Sequence, residues 1–186
     1  KTKYWYWNKA LPDHMCDHII KLGEEKKKQF GVVGHNEDKE LTEKDIEDQK
    51  KTIRDSNVAW FNEPWMFDLL ARYFLEANQN AKWHFIYDFI EPVQFTMYEP
   101  GQYYGFHQDS DFFKNEQTVR KLSCVVSLSD PNDYEGGDFR INLKSGLHGS
   151  DCFLDVEHLK GKGNLIVFPS HYWHEVSKIT KGKRYS

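Results

Sequence analysis

The sequence predicts an α+β chain with a mainly β core: a double-stranded β-helix, or jelly roll, with N-terminal helices packed on one sheet. Two observations carry this. From Val93 onward the chain is a series of short β-rich runs parted by turn residues, at 93–98, 102–109, 121–128, 137–142, 163–168, 173–179 and 183–186. Many short strands at such spacing build a sandwich or barrel. Before Val93 the reading is mixed but mostly helical, with apolar residues recurring at helical spacing. The 186 residues amount to one domain, read as a support region over 1–92 and a jelly-roll core over 93–186.

Thr2 to Asn8 set Tyr4 and Tyr6 against Trp5 and Trp7, the alternation of a strand. Pro12-Asp13 opens a helix running to about Glu25, with Cys16, Ile19, Ile20 and Leu22 on its apolar side. Residues 24–52 are dominated by Lys, Glu and Asp and read as a solvated insertion or exposed helix. Pro64 opens a second helix with Met66, Leu69, Leu70, Tyr73, Phe74 and Leu75 as its apolar set. In the core, Glu99-Pro100-Gly101-Gln102 places Pro and Gly at the centre of a type II turn. Asp130-Pro131-Asn132-Asp133 and Gly136-Gly137 mark another connection. The last run ends at Ser186, and the fold calls for one further strand.

Composition narrows the function. Aromatic residues make up 16% of the chain, which argues against disorder and suits an aromatic-lined pocket. The net charge is −4, from 25 basic and 29 acidic residues, with no basic face evident. Nucleic acid is therefore not the expected partner. Cys16, Cys124 and Cys152 form no Cys-x-x-Cys pair and leave one unpaired. That fits a reducing, cytoplasmic setting rather than a disulfide scaffold. No apolar run is long enough to span a membrane, and no signal peptide is visible.

Three features carry chemistry. In His107-Gln108-Asp109, residues i and i+2 of one strand face the same way, so an imidazole and a carboxylate can reach one divalent metal. His35-Asn36-Glu37 has the same form but sits in the charged stretch. Next, the apolar run 165–168 stops at Pro169, and His174 projects from the start of the following strand, completing two His and one carboxylate with open positions. Third, Arg184 stands ten residues beyond His174. A hairpin at Thr180-Lys181-Gly182 would pair Lys178 with Arg184 and Val176 with Ser186, putting Arg184 on the ligand face. There a guanidinium can clamp a dicarboxylate through two parallel hydrogen bonds.

These residues, in the runs 97–109, 127–139, 163–170 and 174–184, resemble the prolyl 4-hydroxylase-like branch of the Fe(II)/2-oxoglutarate dioxygenases, with bacterial PKHD-type hydroxylases the most similar group. The resemblance covers about residues 93–186. It implies that His107, Asp109 and His174 bind Fe(II) and are catalytic, and that Arg184 pairs with the distal carboxylate of 2-oxoglutarate. Tyr98 matches a tyrosine that contacts the cosubstrate, and Ser186 falls on the face of Arg184. The implied reaction consumes 2-oxoglutarate and O2, releases succinate and CO2, and hydroxylates a substrate C–H, with ascorbate as an accessory reductant. Related halogenases lack the carboxylate, so Asp109 implies hydroxylation. Some relatives place a tyrosine at Ser127, so the pocket wall differs there. The implied substrate is a prolyl residue or another amino acid, peptide, protein or small molecule.

Rival readings stay open at this point. A nucleic-acid demethylase of the same fold would need a basic groove. A non-catalytic jelly-roll module that keeps a metal would have no use for Arg184, and a zinc hydrolase would leave Arg184 and the Glu135–Phe139 run unexplained. His14 and His18, four apart on the first helix, lack a third ligand and read as surface residues. His171 reads as a loop residue, and Tyr103, Tyr104, Phe106 and Trp173 as aromatics flanking the site.

Overall fold

The computed structural model describes residues 2–30, 54–110, 118–142 and 152–186. In chain order these form β1 (Trp5–Trp7), α1 (Asp13–Phe30), β2 (Arg54–Asp55), β3 (Asn57–Phe61), α2 (Pro64–Asn80), β4 (Val93–Tyr98) and β5 (Tyr103–His107). There follow β6 (Leu122–Val126), β7 (Tyr134–Gly136), β8 (Phe139–Asn142), β9 (Phe153–Asp155), β10 (Leu165–Pro169), β11 (His174–Val176), β12 (Ile179–Gly182) and β13 (Arg184–Tyr185).

Two sheets face each other, as a jelly roll requires. One face is built from β1-β10-β6 and β3-β4-β13. These are stitched together where Leu128 N donates to Tyr185 O at 3.0 Å and Tyr185 N to Ser129 Oγ at 2.7 Å. The other face is β2-β5-β11-β8-β9, with the pair β12-β7. The helices cover the first face. Strand β10 explains why its run is apolar without a break: both its faces are buried. Leu165 and Val167 join the core beneath the helices, with Cys16, Met66, Leu70 and Tyr73. Ile166 and Phe168 join the core between the sheets, with Tyr98, Ile141, Val176 and Ile179. Strand β6 alternates likewise: Cys124 and Val126 pack against the helical core, Val125 against the inner one.

Several expectations are corrected. Helix α1 runs to Phe30, so the start of the charged stretch continues the helix; Lys and Glu are good helix formers. The rest of that stretch, with His35–Glu37, lies outside the described residues. In α2, Met66, Leu70, Tyr73 and Ala77 form the buried stripe, while Leu75 falls off it and is 52% exposed. Besides the expected β1, the first half contributes two further strands to the sheets, β2 and β3. Strand β3 pairs with the whole of β4, from Asn57↔Met97 to Phe61↔Val93. Its outward residues, Val58 and Trp60, are themselves apolar, so no polar alternation marks it. Strand β5 ends at His107, leaving Asp109 beyond it, and the run 173–179 divides between β11 and β12. The hairpin after Ile179 does not form: β12 pairs with β7 and β13 with β4. Gly182 is left-handed as expected, with φ 72°. There it turns the chain from one sheet to the other, so tightly against the Asp133 carbonyl that a Cβ has no room.

Candidate active site

The site is a row of side chains across β5 and β11. His107 closes β5 and is the Cα partner of His174, the first residue of β11. Each imidazole is held by a carbonyl two residues earlier: His107 Nδ1 lies 2.8 Å from Gly105 O, and His174 Nδ1 lies 2.9 Å from Tyr172 O. Both Nδ1 atoms are thereby assigned as donors, which turns each Nε2 inward as the atom that can be offered to a metal.

Asp109 reaches the same point by a different route from the one its spacing suggested. Its backbone N and that of Ser110 both donate to Ser170 O, each at 3.1 Å. Its Oδ2 accepts from Ser123 Oγ at 2.6 Å, and Ser123 Oγ lies 2.8 Å from Ser170 Oγ. The carboxylate then stands 3.4 Å from His107 Nε2 through Oδ1 and 3.5 Å from His174 Nε2 through Oδ2. One ligand atom from each of the three residues lies within 4.8 Å of the others. Such separations suit neighbouring ligands about one first-row metal with bonds of ~2.1 Å.

Electrostatics favour the metal-ready protonation states. His174 is 5% exposed, with Phe168 at its edge and Phe139 beside it. Burial, reinforced by the neighbouring His107, pushes its pKa down to about 4 against the pull of Asp109. Burial raises the Asp109 carboxyl, but the hydrogen bond from His107, the charges of His174 and His107 and the Ser123 bond outweigh it and hold it well below the usual carboxylate range. An unfolded histidine titrates near ~6.5, so between that pH and about 4 the unfolded chain binds the proton that folded His174 refuses. Stability of the metal-free protein should therefore fall as pH drops through this window, and Asp109 adds loss of the same sign at lower pH. Thermal unfolding from pH 7.5 to 4.5 checks this; a His174→Gln variant should lose most of the slope.

Arg184, on β13, is the Cα partner of Tyr98 and only 2% exposed. Its Nη1 donates to Ser186 Oγ at 3.2 Å, its guanidinium sits 5.5 Å from the Tyr98 ring centre, and its Nε has no partner. Among the described residues it has no carboxylate to pair with. A buried cation without an anion is costly, and such an orphan marks the place of a ligand. A dicarboxylate fits: one end on the guanidinium, the other toward the metal group. Gly137 makes the room. A Cβ there would lie 2.8 Å from Arg184 Cδ and collide with Ile179, and its φ of 67° is left-handed. Gly137→Ala should displace the arginine and weaken dicarboxylate binding by about tenfold or more, as a misplaced clamp does. Metal affinity should not change; calorimetric titration with each ligand separates the two.

A cavity of about 730 Å³ is lined by His107, Asp109, His174, Arg184, Tyr98 and Ser186, so all six residues singled out in the sequence meet in one place. Ser127 is buried but lines no part of it. His14 and His18 are exposed on α1, and His171 is exposed in the turn before β11, its carbonyl accepting from Gln108 Nε2 at 2.5 Å. Sequence reading missed the supporting roles of Ser123 and Ser170. For Ser170 the signal was its place after Pro169, where the strand must turn.

The profile of the 2OG-Fe(II) oxygenase superfamily matches residues 93–186. A PKHD-type hydroxylase of Sphingopyxis alaskensis is 36% identical over 97 residues, covering 51% of this chain and 41% of that protein. The chain thus spans less than half the length of the curated relatives it matches. Among solved structures, a prolyl-4-hydroxylase of Pseudomonas putida superposes with a TM-score of 0.64 at 23% identity, over 98% of this chain and 88% of that one. The viral collagen prolyl hydroxylase of Paramecium Bursaria Chlorella virus-1, in its 2OG complex, superposes with a TM-score of 0.61 at 22% identity, over 100% and 93%. At such identities the likeness is one of fold. No helix among the described residues is long and apolar enough to cross a membrane.

Proposed function

Because the chain belongs to the 2OG-Fe(II) oxygenase superfamily, we propose that it is an Fe(II)- and 2-oxoglutarate-dependent dioxygenase. Its reaction in this reading is hydroxylation of a C–H bond in a prolyl residue or another amino-acid or peptide substrate. One observation carries this: Arg184, buried and without an anionic partner, lines the same cavity as the His107–Asp109–His174 group.

His107 and His174 would hold the iron through Nε2 and Asp109 through a carboxylate oxygen. Arg184 binds the far carboxylate of 2-oxoglutarate, Ser186 steadies the guanidinium, and Tyr98 forms the wall beside it. When bound, the iron supplies the oxidising chemistry that turns 2-oxoglutarate, O2 and substrate into succinate, CO2 and hydroxylated product. The chain's own share is positional. The Gly105 and Tyr172 carbonyls hold the two imidazoles, and Ser123 with Ser170 holds the carboxylate. Phe139 and Phe168 shield His174 from water.

The prolyl hydroxylases among the similar solved structures support a prolyl substrate, and aromatic walls at Tyr98, Tyr104 and Phe139 suit an apolar ring. Three free thiols, Cys16, Cys124 and Cys152, support a reducing compartment. The shared core supports one domain, in which the described residues before Val93 supply two helices and three strands that pack with 93–186. The decisive experiment measures Fe(II)-dependent conversion of 2-oxoglutarate to succinate, with ascorbate present, against proline-rich peptides and free amino acids. No succinate with any candidate, together with no 2-oxoglutarate binding by the iron-loaded protein, would sink the reading.

A further inference from the structure

Tyr104 stands three residues before His107. In a regular strand that spacing sends two side chains to opposite faces. The ladder between β5 and β11 shows why it does not here. Val176 pairs with Tyr104 and His174 with His107, so two steps on β11 oppose three on β5. The extra residue is a β-bulge, which re-aims side chains locally. Tyr104 and His107 come to share a face, their rings stacked with centroids 3.5 Å apart and planes 10° from parallel. The same bulge presents the Gly105 carbonyl to His107 Nδ1.

Arg54 covers the system from the other side. It is the Cα partner of Tyr104 across the β2–β5 ladder, and its guanidinium carbon lies 4.5 Å from the Tyr104 ring centre. Among the described residues its hydrogen bonds go to neutral oxygens: Nε to Ser56 Oγ at 2.7 Å, and Nη2 to Gln94 Oε1 at 2.8 Å and Thr96 Oγ1 at 3.4 Å. Among the described residues it pairs with no carboxylate. The guanidinium lies over the ring face, where a cation is attracted by the π-electrons. An imidazole held at Nδ1 by the Gly105 carbonyl and facing Asp109 through Nε2 can still rock about the axis joining these two atoms, and a ring clamped over its face removes this freedom.

We propose that Arg54 is a positioning residue for the metal centre: it clamps Tyr104 against His107 and so fixes the plane of the imidazole whose Nε2 faces the metal. The inference rests on the ligand set proposed above.

The test is Co(II) binding to the metal-free protein by calorimetry, with the His107 ring-proton NMR signals read before metal is added. Arg54→Met and Tyr104→Leu should each weaken Co(II) binding about tenfold, the loss typical of groups that orient metal ligands. The His107 signals, held upfield by the stacked ring, should move downfield in both. Tyr104→Phe keeps the ring and should bind as the wild type does. Arg54→Lys, which keeps the charge and much of the stem, should recover part of the loss even if Arg54→Met does not fold. Wild-type affinity in Tyr104→Leu and the folded Arg54 variants, with unmoved His107 signals, would overturn the clamp and leave the ligand set intact. Wild-type protein that binds Co(II) no better than His174→Ala would overturn both.

Discussion

Replacing Asp109 by Ala is expected to abolish Fe(II)-dependent 2-oxoglutarate turnover while leaving the fold in place. The carboxylate is the one anionic group among the three candidate ligands, and both histidines converge on it, at 3.4 and 3.5 Å. Without it the metal keeps two neutral imidazoles and loses the charge that offsets its own. Groups that merely orient ligands cost ~10–100-fold in metal affinity, so loss of a ligand should exceed that range. The metal-free fold should tolerate the change. Asp109 is anchored by its backbone N to Ser170 O, which alanine preserves, and Ser123 Oγ retains Ser170 Oγ as a partner. The check is a pair of measurements: unfolding of the metal-free protein, expected within a few degrees of wild type, and succinate formation, expected at background. Wild-type turnover in Asp109→Ala would remove this residue from the metal centre.

Arg184→Met should separate ligand binding from stability in the opposite sense. In the ligand-free protein the guanidinium is buried with its Nε unsatisfied and no anion beside it. Replacing such a charge with an apolar side chain of similar length is neutral or stabilising. Toward 2-oxoglutarate the loss should be severe. Truncating one partner of a buried charge pair costs roughly 2–5 kcal/mol, about 30-fold to a few thousand-fold in affinity. Wild-type protein should gain about 2.7 kcal/mol of stability at a 2-oxoglutarate concentration one hundred times its Kd; Arg184→Met should gain almost none. Arg184→Lys should fall between, because a point charge cannot make the bidentate contact. A methionine variant that melts lower without ligand, yet still responds to 2-oxoglutarate, would make Arg184 a structural residue.

The expected hairpin would have put Arg184 beside Lys178, yet β13 joins β4 and Arg184 lies opposite Tyr98. The residue reaches the cavity all the same, because Gly182 carries the chain across to the other sheet and Gly137 leaves space for the arginine stem. Likewise His107 and Asp109 were paired by strand alternation, but β5 ends at His107 and Asp109 is held by Ser170 and Ser123 instead.

What the sequence determined by itself is therefore local. Alternation and turn residues marked the core strands, with β4 read over its full length, 93–98. Apolar spacing marked both helices, and motif order marked the residues that meet in the cavity. Those signals survive in one dimension because each depends on a few adjacent side chains. Register, bulge and cross-strand pairing depend instead on residues far apart in the chain. Strand β3 was silent because its outward face is as apolar as its inward one. The Arg54–Tyr104–His107 column exists only because β2, β5 and β11 lie side by side with one extra residue in β5. That alignment is decided by how two sheets close around a shared core, which no short window of sequence contains.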